Sequence, residues 1–121
     1  MDENFVQNPN VEEIEIIKER EENKILKHIG DKDYIISLAI NGKQLTSEEL
    51  ADNINNITIS GYSTISFIIG GSHGLSNNIL KKSNLLLSFS KLTFPHQLFR
   101  LILLEQIYRS FKIIKTEPYH K

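Results

Sequence analysis

The stretch STISFIIGGSHGLSNNIL, residues 63–80, changes period partway along. Its first half, STISFIIGG (63–71), is apolar at nearly every position and ends on two glycines, which reads as a strand buried on both faces. Its second half opens SNNILKKSN, a short helical pattern. A strand, a glycine turn and a helix in that order make one half of a crossover unit. Upstream, DYIISLAI (33–40) repeats the buried-strand signature, and NGK (41–43) is a turn signal that breaks it. TSEELADNINN then opens a helix in which Thr46 and Glu49 have capping-box spacing. Downstream, LLLSFS (85–90) reads as a third strand. Pro95 sits in the first turn of a last helix that carries Leu98, Leu101, Ile102, Ile107 and Phe111 and runs to about Ile114.

Before all of these, residues 11–29 place Ile14, Ile17, Ile25, Leu26 and Ile29 near one helical face, with Gly30 at the stop. Residues 1–10, with two Asn near Pro9, are expected to be mobile. Helices alternating with apolar strands predict an α/β protein with a small, mostly parallel sheet flanked by helices. The 121 residues are expected to form a single domain (1–121) without linker or repeat. Three strands are few for this class, and such chains usually begin on a strand. The expectation is that the sheet is small or that something belonging before Met1 is absent.

Composition narrows the function. No apolar run approaches the roughly 18 residues of a membrane helix. The acidic start is unlike a secretory signal or transit peptide. The absence of Cys excludes disulfides and thiolate metal sites, and the cytoplasm is the expected compartment. The net charge of −1 hides a split: residues 1–60 hold 13 acidic and 6 basic side chains, a net of −7, and residues 61–121 hold 2 and 8, a net of +6. A basic half suits a polyanionic partner such as nucleic acid; it equally suits a solvated face that balances the acidic helix.

Several features carry possible chemistry. The turn with Gly70, Gly71 and Gly74 lets backbone approach a ligand ahead of a helix N-terminus, but its spacing fits neither a dinucleotide fingerprint nor a P-loop. His28, His73 and His96 show no metal-ligand spacing, so no metal site is expected. No serine sits in a nucleophile elbow. In LSFSKLTFPHQL (87–98), a buried strand passes straight into a loop whose backbone N–H and C=O groups could read an adenine edge. Phe89 and Phe94 there read as core residues before stacking partners. The last helix holds Arg100, Arg109, Lys112 and Lys115 and is apolar enough for a core helix or half of a dimer contact. Pro118 stiffens the tail Tyr119, His120 and Lys121, whose titratable groups suit proton abstraction and anion binding.

The segments FIIGGSHGLS and LSFSKLTFPHQLFRLILLEQIYRSFKIIKTEPYHK resemble the ribosomal RNA large subunit methyltransferase H family, small SPOUT-class trefoil-knot methyltransferases. The likeness covers about residues 10–121. It implies a parallel sheet with a C-terminal knot that binds S-adenosylmethionine through Leu38, Gly70 and the loop Phe89, Ser90, Lys91, Leu92, Thr93 and Phe94. It further implies a cytoplasmic homodimer that methylates N3 of a pseudouridine in 23S rRNA of the assembled ribosome, with no DNA, membrane or metal involved. Tyr119, His120 and Lys121 would complete the catalytic site, with Arg109 nearby. Lys121 stands where the family more often shows Arg. Family members begin with a strand, a helix and a strand that have no counterpart here, so an N-terminally truncated chain is expected. Two other readings remain: a catalytically weak RNA- or ribosome-binding remnant, and a small-molecule-binding α/β module unrelated to RNA.

Overall fold

The computed structural model describes residues 11–70 and 74–116. The mobile segment expected at 1–10 and the tail at 117–121 lie outside the described residues, as do Gly71 and His73. Seven elements follow in order: α1 (Val11–Leu26), β1 (Tyr34–Gln44), α2 (Ser47–Ile59), β2 (Ile65–Ile69), α3 (Asn77–Lys82), β3 (Leu85–Ser88) and α4 (His96–Ile114). They match the expected alternation. The ends differ: α1 stops at Leu26 rather than at 29, and Pro95 is the N-cap of α4 rather than a residue within its first turn.

The sheet order is β2-β1-β3, and both ladders are parallel. A central parallel strand covered on both sides has no polar face, which is why 34–40 is apolar almost throughout. Successive residues alternate between two cores. Ile36 and Leu38 of β1 and Leu87 of β3 meet Leu50, Ile54 and Ile57 of α2 and Leu103 of α4. On the opposite face, Ile68 of β2 packs with Ile25 of α1, with Leu75 just ahead of α3 and with Ile79 of α3, and Ile35 joins them. Each such side chain contributes on the order of 1.5–3 kcal/mol on burial. Ser37 is fully buried on that second face, and its hydroxyl meets the Ser83 hydroxyl at 2.5 Å.

Side chains also pin the register. Asn84 donates its backbone N–H to Ile35 O at 2.8 Å, and its Oδ1 accepts from Ile35 N at 2.8 Å. From there Ile36, Ser37 and Leu38 face Leu85, Leu86 and Leu87. The NGK segment was expected to end β1. Instead β1 runs on to Gln44 with a shifted register, so that Leu87 faces both Leu38 and Lys43. The excursion rests on Gly42. A β-carbon there would stand 2.7 Å from the carbonyl carbon of Leu86 and 2.8 Å from the amide nitrogen of Leu87. Glycine therefore marks a backbone-on-backbone contact, not a chain reversal.

The α2 start is the capping box that the sequence spells. Thr46 Oγ1 accepts from Glu49 N at 3.1 Å, and Glu49 Oε1 accepts from Thr46 N at 2.9 Å. The backbone and hydroxyl of Thr46 hold the Glu49 carboxyl below its ordinary value.

Two outcomes follow from this local chemistry. Gly42→Ala must push β1 and β3 apart; a loss of about 2 kcal/mol is expected, read as a lower urea midpoint at unchanged slope. Glu49→Ala should lower stability at pH 7. The Glu49 carboxyl is depressed in the folded state, so its contribution is complete above the ordinary glutamate value of 4.5 and fades as pH falls through the folded value. The gap between wild type and variant should therefore narrow in urea melts at pH 3.

Candidate functional site

Parallel strands bring their carboxyl ends to one edge, and ligands of such sheets bind there. In this chain Leu38, Ala39 and Ile40 lie where β1 passes its last pairing with β2 and shifts register against β3, Ile69 and Gly70 end β2, and Leu87 and Ser88 end β3, all around one cavity of about 720 Å³. The connection at 89–95 and the first turn of α4 close the remaining side. The volume lies within the roughly 300–1,000 Å³ of small-molecule sites.

Seven of the eight residues expected at a cofactor site line this cavity: Leu38, Gly70, Phe89, Ser90, Leu92, Thr93 and Phe94. Lys91, the eighth, is exposed and does not line it. Gly70 matters for closeness of approach. A β-carbon at Gly70 would lie 3.0 Å from Gly74 C and 3.0 Å from Leu75 Cγ, so the chain folds back on itself there. Gly74 adopts φ +82°, a left-handed conformation that suits glycine.

The loop is held by its own hydroxyls and by rings. Ser90 Oγ accepts from Leu92 N at 3.0 Å, and Ser88 Oγ donates to Ser90 O at 3.3 Å. The Ser90 side chain is thus spent on turn geometry. Phe89 stacks on Phe99 of α4 with ring centres 5.6 Å apart and planes 10° apart. Phe94 meets the same Phe99 edge-on at 6.0 Å and 66°. The two rings expected mainly as core are therefore both ring partners and pocket wall.

The walls are mostly apolar. Among the described residues, no Asp, Glu, Lys or Arg side chain lines the cavity; its polar side chains are Ser88, Ser90, Thr93, His96 and Gln97. Leu92 and Ile40 are 69% and 52% exposed, so a bound molecule could cover apolar surface at the rim. The glycine turn was read as leading into a helix N-terminus that favours negative charge. In the structure that charge comes from the protein: Glu22 Oε1 accepts from Ser76 Oγ at 2.5 Å, and Glu22 Oε2 lies 3.4 Å from Asn78 Nδ2.

Arg109 stands apart from the cavity. It lies ten residues beyond Phe99 on α4, about 15 Å along the axis. Its Nε and Nη2 both donate to Glu105 Oε1, at 3.0 and 2.6 Å. Tyr119, His120 and Lys121, expected to be catalytic, lie outside the described residues. Among the described residues no group of three or more His, Cys, Asp or Glu could hold a metal ion, and no helix is long and apolar enough to cross a membrane.

Sequence reasoning did not find Phe99 or His96 as pocket residues. Phe89, Phe94 and Phe99 are spaced by five, which matches neither helical nor strand period, so only the folded loop brings them together.

The chain is similar to known proteins over nearly its whole length. The family described as "Predicted SPOUT methyltransferase" matches residues 3–120. A Clostridium botulinum (strain Hall) protein named "Ribosomal RNA large subunit methyltransferase H" is 56% identical over 120 residues, 99% of this chain and 76% of the relative. A Finegoldia magna protein of the same name is 61% identical over 109 residues, 90% of this chain and 69% of its own length.

Proposed function

The chain belongs to the ribosomal RNA large subunit methyltransferase H family of SPOUT methyltransferases, and we propose that it methylates N3 of a pseudouridine in 23S rRNA with S-adenosylmethionine as donor. It is an rRNA methyltransferase. The finer reading rests on one observation: seven residues assigned to the cofactor by resemblance alone line a single cavity at the carboxyl ends of the sheet.

The residues present fit that cofactor. Apolar walls suit an adenine ring, and Phe89, Ser90, Leu92, Thr93 and Phe94 of the loop form one of those walls. Ser88, Thr93, His96 and Gln97 offer hydrogen-bonding groups for the ribose and amino-acid end. When bound, S-adenosylmethionine supplies an electrophilic methyl group on a sulfonium. The protein's part is to orient, to exclude water and to move one proton. N3–H of pseudouridine is a weak acid. We assign its proton to His120, with Tyr119 positioning the base and Lys121 stabilising the anion left behind; Arg109, engaged with Glu105 away from the cavity, takes no part in that step. With the proton gone, the N3 lone pair would be free to accept the methyl group, and Leu38, Gly70 and the 89–94 loop would hold its donor in line. Alignment of the two reactants supplies most of the acceleration. The family's C-terminal knot, a cytoplasmic setting and action on the assembled ribosome belong to the same proposal.

A homodimer does too. Leu101, Leu104, Tyr108 and Phe111 follow heptad spacing on α4 and are 63%, 55%, 45% and 49% exposed. An apolar stripe of this kind on a small protein marks a partner contact.

Calorimetry should show S-adenosylhomocysteine binding to the wild-type chain, and labelled methyl should appear at N3 on whole ribosomes that lack the modification. Binding without transfer would favour the weakly active remnant; no binding would overturn the cofactor reading. His120→Ala should slow transfer by about 100-fold or more with cofactor binding kept, and an undiminished rate would remove His120 from the proton step. Leu104→Glu should shift size-exclusion elution from dimer to monomer.

A further inference from the structure

Phe99 touches the cofactor loop twice. Its ring stacks on Phe89, where the loop leaves β3, and meets the edge of Phe94, where the loop reaches α4. The residues between those two contacts include Ser90, Leu92 and Thr93, which line the cavity. One ring on a nineteen-residue helix therefore holds both ends of the segment that shapes the pocket wall. Inside the loop, the Ser90 hydroxyl spans only to Leu92 N. That bond sets a local turn, and the Ser88 hydroxyl ties Ser90 O to the end of β3; neither bond reaches α4.

We infer that Phe99 is a positioning residue for cofactor binding, acting through Phe89 and Phe94 as an aromatic staple that holds the 89–94 loop in its binding shape. This rests on the cofactor reading above and extends it to a residue that the reading does not include. Offset and edge-on ring pairs carry attraction beyond the area they bury, and that extra part is lost when an aliphatic side chain of equal bulk replaces one ring. A loop ordered in advance binds more tightly than one that must be ordered on binding.

The test uses the full chain and S-adenosylhomocysteine as probe, with affinity read by calorimetry. Phe99→Met keeps bulk beneath the loop while removing the ring, so melting should change little; an affinity loss of about tenfold is expected. Phe99→Tyr keeps the ring and should stay within about twofold of wild type. Phe94→Leu should show a loss similar to Phe99→Met, and the double variant should be little worse than either single one, because both break the same staple. In steady-state assays the loss should appear in KM for the methyl donor, with kcat nearly kept.

Equal affinity in Phe99→Met and wild type would overturn the staple. So would purely additive losses in the double variant, since these would mean that Phe99 acts independently of the loop. Failure of the wild type to bind the probe would instead sink the cofactor reading itself. Should Phe99→Met not fold, Phe99→Leu takes its place, and unweakened binding in Phe94→Leu would overturn the staple as well, because the staple requires that contact.

Discussion

Strand β1 has a hydrogen-bonded neighbour on each side, and both neighbours run in its own direction. Most other features depend on that. A parallel neighbour cannot be reached by a tight turn, so each passage from strand to strand needs a crossover, and helices come to cover both faces. Two covered faces demand two sets of apolar side chains. Ile36 and Leu38 serve one, and Ile35 serves the other. Parallel direction also sends all three carboxyl ends to one edge. The cavity is the space left where β2 and β3 end and β1 shifts its register.

That logic explains what could be read in advance. Doubly buried strands leave continuous apolar runs, so all three were visible, as was the Thr46–Glu49 cap, whose chemistry is local. Failures came where the cause was distant in sequence. NGK looked like a stop because glycine usually signals a reversal; its actual reason is Leu86 and Leu87, more than forty residues later. The glycine turn was legible as a place where backbone meets a ligand, and Gly70 and Gly74 line the cavity; the Glu22 carboxylate that meets Ser76 and Asn78 at the start of α3 comes from another helix and was not legible. The cofactor loop was recognised by resemblance, whereas its dependence on Phe99 lay in no periodic pattern. Arg109 was placed near the reaction by family likeness, and in the described chain it is engaged with Glu105.

Helix α4 faces three ways. Leu103 anchors it to the sheet, Phe99 reaches the loop, and the stripe from Leu101 to Phe111 looks outward. These duties are compatible because a helix distributes neighbouring residues around its circumference. They also mean that a partner seated on the outward stripe would rest on the same rigid rod that carries Phe99.

The contact at Gly42 has a mechanical meaning. Two main chains already touch there, and nothing softer lies between them. A packed interior resists further compression, so the β1–β3 seam next to the cavity cannot close any tighter. The wall is thus pinned from two sides by different means: main chain against main chain at Gly42, and ring against ring at Phe99.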